Sequence, residues 1–151
     1  VTNLLGLTFM DGKSNNPFEV IDDLLLEDDS DIHNVDFHAE TTSDKIALGY
    51  YLDGRVSAVL GTHTHVPTAD EKILPQGTAF QCDVGMTGPY ESVIGCEKET
   101  IIKRNLTSLM TPFRVAEDEG QFLATLLTFD DHTNKCTDIM RIRIDKDHPF
   151  Q

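Results

Sequence analysis

Val35-Asp36-Phe37-His38-Ala39-Glu40 and Gly61-Thr62-His63-Thr64-His65 each bring a histidine straight out of a short apolar run, with His63 following His38 by 25 residues. The runs Ile32 to Phe37 and Val56 to Leu60 have the β-branched and aromatic character of strands. Between them, Thr41 or Thr42 is suited to cap a helix, with Asp44 near its positive end. Ile46, Ala47, Tyr50 and Tyr51 give that helix an apolar face, and Asp53-Gly54 stops it. Strand, helix and strand make a βαβ unit whose two strands lie parallel if they share a sheet. An α/β fold is predicted.

Upstream, Val1 to Leu7 reads as a short strand, and Asp11-Gly12-Lys13-Ser14-Asn15-Asn16-Pro17 supplies turn formers. Pro17 suits the first position of a helix carrying Phe18, Val20, Ile21, Leu24 and Leu25 at helical spacing. The acidic run Glu27-Asp28-Asp29-Ser30-Asp31 ends it. This run lacks the glycine and terminal glutamate of a calcium loop and reads as solvated loop. Downstream, Pro75-Gln76-Gly77 joins Lys72 to Leu74 and Thr78 to Cys82 as a hairpin. Gly85 to Pro89 reads as a turn and Lys98 to Leu109 as a helix. Phe113 to Ala116, Gln121 to Phe129 and Cys136 to Ile144 are predicted to form a β-meander. With no repeat or linker, residues 1–151 are read as part of one domain.

The chain of 151 residues is 39% hydrophobic, enough to bury roughly 70% of its unfolded surface. Twenty-six acidic residues against twelve basic ones leave a formal charge of −14, which argues against a surface that tracks a nucleic-acid backbone. A phosphate-bearing substrate would need local positive charge, which bound metal ions could supply. No apolar run is long enough to span a membrane, and Val1-Thr2-Asn3-Leu4-Leu5 lacks the marks of a secretory signal. Cys82, Cys96 and Cys136 show no metal-knuckle or redox spacing and read as reduced thiols in or near strands. A cytoplasmic location is expected.

His63 and His65 are two apart, so extended backbone sends both to one side and a turn spreads them. Neutral imidazole is a good ligand for zinc, manganese or iron. The pair alone is equally compatible with two loop histidines. His38, delivered by the preceding parallel strand to the same sheet edge, favours ligation, because sites form at the carboxyl ends of strands. His38, His63 and His65 are therefore the candidate metal ligands. Glu40 is a candidate to orient a ligand imidazole, or alternatively a charge at the start of the next helix. Asp83 has the same two kinds of reading: an acceptor behind a ligand, or a structural bond to the glycine-rich turn. His33, His132 and His148 are assigned surface or turn roles. Nucleophile-elbow, Walker and dinucleotide motifs are all lacking, so acyl transfer, nucleotide triphosphate use and hydride transfer have no signature.

With these residues in view, the chain resembles the C-terminal portion of the YmdB-like metallophosphoesterases, a branch of the calcineurin-like superfamily. The similarity is carried by Val35 to Ser43, Ala47 to Arg55, Gly61 to His65 and Asp83 to Tyr90, and it runs from Val1 to Phe150. The resemblance implies part of a four-layer α/β/β/α sandwich, with an N-terminal portion outside this chain. It implies hydrolysis of small phosphodiesters, 2′,3′-cyclic nucleotides in particular, with two divalent metal ions (Fe, Mn or Zn). By position His38 and His63 match ligands of one metal and His65 a ligand of the other. The family's remaining Asp, Glu and Asn ligands and its general-acid histidine are expected in the N-terminal portion, so the isolated fragment is expected to be inactive. Leu7 and Pro67 depart from the family pattern, where Arg and Gln are expected. Two alternatives stand beside this reading. One is a metal-dependent amidohydrolase, although there the HxH pair normally precedes the other ligands. The other is a non-catalytic binding or assembly fragment, whose exposed apolar faces would favour a homo-oligomer.

Overall fold

Alternation along one strand sets the layering. In β2 (Asn34–His38), Val35 and Phe37 are buried while Asp36 and His38 are half-buried, because successive side chains of a strand point to opposite faces. The computed structural model describes residues 1–10, 12 and 14–149. These divide into two compact units, Val1–Gly85 with Thr125–Arg141, and Met86–Ala124 with Ile142–Gln151 as far as it is described.

In the first unit, β1 (Thr2–Leu5), β2, β3 (Ala58–Thr62) and β5 (Ala79–Gln81) run parallel, and β4 (Lys72–Ile73) adds antiparallel to β5. The sheet order is β1-β2-β3-β5-β4. Two helices, α1 (Pro17–Glu27) and α2 (Thr42–Tyr51), connect the first three strands. Pro17 opens α1 behind the Asn16 cap, whose side chain accepts from the Phe18 N–H, and Thr41 caps α2 by accepting from Asp44. The expected parallel βαβ unit and the β4–β5 hairpin are both present. Val35, Phe37, Val59 and Phe80 share one core with Ile21, Leu48 and Leu52. A second core joins Ala58, Ala79 and Leu60 to Leu127, Phe129, Cys136 and Ile139. The last four belong to β7 (Gly120–Phe129) and β8 (Cys136–Ile144), joined at a turn where the Asp130 N–H donates to the Lys135 carbonyl.

The buried face of α2 differs from the expected one. Lys45, Leu48 and Gly49 are buried, whereas Ala47, Tyr50 and Tyr51 are exposed. Lys45 turns inward because Asp83 receives its ammonium. At Gly49 the Phe80 ring packs against the helix, and a Cβ there would fall 2.5 Å from Phe80 Cδ2. His33 is likewise buried and not on the surface, held by Thr2, Asp28 and the Ser57 hydroxyl.

In the second unit, β6 (Gly88–Pro89) pairs antiparallel with the start of β7, and α3 (Lys98–Thr107) ends at Ser108 in left-handed conformation. Gly88-Pro89, expected within a turn, is a short strand. Phe113 to Ala116, expected as a strand of a meander, makes only an isolated bridge between Val115 and Cys96. Phe113 and Val115 are exposed, so that segment buries no face that would reward a ladder. The sheet it was expected to join has the order β6-β7-β8. Among the described residues no helix is long and apolar enough to cross a membrane.

Candidate metal centre

The parallel register sets His38 opposite Thr62 at the carboxyl ends of β2 and β3. The chain then turns sharply through Gly61-Thr62-His63-Thr64-His65, with φ of 109° at His63 and 68° at His65. Positive φ is uncommon outside glycine and is kept only where surrounding bonds enforce it. Asp83 supplies that enforcement. Its Oδ2 accepts from the Thr64 N–H at 3.0 Å and the Thr64 hydroxyl at 2.8 Å, gripping the residue between the two histidines. The same oxygen receives the Lys45 ammonium at 2.9 Å, and Oδ1 accepts from the Gly85 N–H at 2.9 Å. Burial works to raise the Asp83 carboxyl, but Lys45, Thr64 and the Gly85 N–H outweigh it and hold it below the usual aspartate value.

The turn brings two rings edge to face, 4.8 Å between centroids and 88° between planes. His38 Nε2 lies 3.0 Å from His63 Nδ1. His63 Nε2 lies 2.8 Å from the Glu40 carboxylate, and His38 Nδ1 lies 3.1 Å from the Thr62 hydroxyl. A carboxylate only accepts, so His63 carries its proton on Nε2 and, when neutral, presents the Nδ1 lone pair. Two imidazole nitrogens held about 2.0–2.1 Å from one tetrahedral ion stand roughly 3.3 Å apart. The pair fits a shared divalent ion, and a carboxylate behind a ligand histidine is the usual support for one.

His38, His63 and Glu40 are thus brought together. His65 is exposed two residues beyond, and Asp83 acts through Thr64, with its bond to the glycine-rich turn also formed. Among the described residues, no group of three or more His, Cys, Asp or Glu side chains is arranged to hold a metal. Local reading of the sequence missed Lys45, Asp36 and Thr62. Asp36 left one signal, its position two residues before His38 on the same strand face.

A model of the YmdB-like protein family matches residues 1–142. The chain belongs to the YmdB-like family. It is 50% identical over 152 aligned positions to the 2′,3′-cyclic-nucleotide 2′-phosphodiesterase of Bacillus subtilis (strain 168), covering 99% of this chain and 57% of that protein. Among solved structures, a hypothetical protein from Thermus thermophilus matches with a TM-score of 0.90 and 48% identity, over 95% of this chain and 56% of the other. A structure described as a novel phosphatase, from Mycoplasma pneumoniae, matches with a TM-score of 0.90 and 43% identity, over 95% and 52% of the two chains. This YmdB-like chain therefore spans about half the length of its relatives.

Proposed function

We propose that the natural protein containing this chain is a metal-dependent phosphodiesterase acting on 2′,3′-cyclic nucleotides. The observation that carries the reading is the 3.0 Å approach of His38 Nε2 to His63 Nδ1, with Glu40 fixing the proton on the far side of His63. The name of the Bacillus relative supports the substrate class. His38 and His63 hold one divalent ion, Fe, Mn or Zn, and His65 contributes to a second. Bound, the two ions supply an ionised water near neutral pH and positive charge against the phosphate oxygens. Such charge is needed beside a chain of formal charge −14.

In this reading His38 and His63 act as ligands and not as proton carriers. Glu40 keeps the His63 ring oriented, and Asp83 keeps the intervening turn in its left-handed shape. The remaining ligands and the general acid come from residues outside this chain, which complete a four-layer α/β/β/α sandwich in the cytoplasm. The test is His63→Ala in the full-length natural protein, with metal content and hydrolysis of a 2′,3′-cyclic nucleotide measured together. Both are expected to be lost, and unchanged turnover overturns the assignment. Cleavage of an amide substrate in preference to a phosphodiester would overturn the reaction class.

A further inference from the structure

Behind His38 stands a second carboxylate. Asp36 lies two residues earlier on the same face of β2, and its Oδ1 accepts from the Thr62 hydroxyl at 2.7 Å. Its Oδ2 accepts from the Asn3 side-chain amide at 2.9 Å, and Asn3 and Asp36 are direct register partners on β1 and β2. The partners of this carboxylate are thus both neutral donors, so it forms no local ion pair with them.

A threonine hydroxyl has one proton to donate and lone pairs to accept with. The Thr62 proton is committed to Asp36, so Thr62 Oγ1 meets His38 Nδ1, 3.1 Å away, only as an acceptor. His38 must then carry a proton on Nδ1, and because Glu40 holds the His63 proton on Nε2, the 3.0 Å between His38 Nε2 and His63 Nδ1 sets two lone pairs around one shared proton or cation. The opposite tautomer would point an N–H at His63 and bar a cation from the gap.

We infer that Asp36, acting through Thr62 and held by Asn3, is a positioning residue that selects the tautomer of His38 and aims its Nε2 lone pair at the centre. One carboxylate thereby stands behind each imidazole, Glu40 directly behind His63 and Asp36 behind His38 across a hydroxyl. The Nδ1 proton follows from Thr62 and Asp36 whether a proton or a cation fills the gap to His63, whereas its effect on metal affinity rests on the metal reading.

The test compares wild type with Thr62→Val, Thr62→Ser and Asp36→Leu in the full-length natural protein. In the metal-free protein, nitrogen-proton correlation NMR of the His38 ring reports the tautomer, and calorimetric titration with Mn²⁺ reports affinity. Wild type and Thr62→Ser are expected to carry the His38 proton on Nδ1, and Thr62→Val and Asp36→Leu to move it to Nε2. Loss of a partner behind a ligand histidine typically costs about 10- to 100-fold in metal affinity, and that loss is expected in the valine and leucine variants, with recovery in the serine variant. A changed tautomer without Mn²⁺ binding in any variant, wild type included, would sustain the relay and overturn the metal reading. An unchanged Nδ1 tautomer in folded Thr62→Val and Asp36→Leu would overturn the relay itself.

Discussion

Lys45 Nζ and Asp83 Oδ2 lie 2.9 Å apart with both side chains at 2% exposure or less, one on a helix and the other beyond a strand 38 residues later. Breaking a buried pair on one side strands an uncompensated charge, which costs about 3–5 kcal/mol. Asp83→Asn is expected to lose about that much unfolding free energy at neutral pH. The folded Asp83 carboxyl sits below its ordinary value of 3.8, so it binds a proton less readily folded than unfolded. Its stabilisation is full above 3.8 and is lost as acid carries the pH below that value toward the folded one. Denaturant titrations of wild type and Asp83→Asn should converge in that acid window; a constant gap would show that the pair does not set the difference.

Glu40 is half exposed, with 47% of its side chain open to solvent, and its bond to His63 is expected to matter for ligation more than for folding. Glu40→Gln keeps the shape but replaces an obligate acceptor with a group able to donate or accept. Metal affinity of the full-length protein should fall about 10- to 100-fold, while the unfolding free energy moves by less than about 1 kcal/mol. A stability loss without any change in metal affinity would assign Glu40 to the helix start instead.

Gly61 is enforced by packing. A Cβ there would overlap the Cys82 carbonyl oxygen and crowd the Lys45 side chain at 3.0 Å. Backbone cannot swing aside as a side-chain tip does, and the same Gly61 carbonyl accepts from the Val84 N–H at 2.9 Å. Gly61→Ala is expected to cost at least about 3 kcal/mol, the upper end for overpacking, read as a lowered Tm. Wild-type stability in that variant would show that β3 and the chain after β5 separate more readily than their bonds imply.

How far the fold was legible follows from particular residues. Val35, Phe37 and the alternating Asp36 and His38 are a local pattern, and they correctly place a parallel strand that ends in histidine. Pro17 and Thr41 marked their helix starts for equally local reasons. The face of α2 was misread because its decisive contact, Lys45 to Asp83, joins distant parts of the chain, and a lysine in an amphipathic pattern counts toward solvent. Phe113 to Ala116 has strand composition but buries no face, and composition alone does not reveal what a segment packs on. His38 and His63 were legible as strand-end residues. Their tautomers were not, since those depend on cross-strand bonds through Thr62 and Glu40.

Thr64 links the buried pair to the histidine turn, through a backbone bond of 3.0 Å and a hydroxyl bond of 2.8 Å to Asp83. Thr64→Val removes only the hydroxyl, so its stability cost should be about 1 kcal/mol. Because both bonds end on one carboxylate, Thr64→Val and Asp83→Ala, which removes the acceptor that an asparagine would keep, should not add. In the double mutant most of the Thr64→Val cost is expected to vanish, a coupling on the order of 0.5 kcal/mol or more, typical of contacting residues. Those two bonds hold the residue that follows His63, whose φ is 109°, so Thr64→Val should also weaken metal binding while leaving the Glu40 contact intact. Full additivity in a double-mutant cycle, with metal affinity unchanged, would show that Asp83 stabilises the fold without shaping the turn.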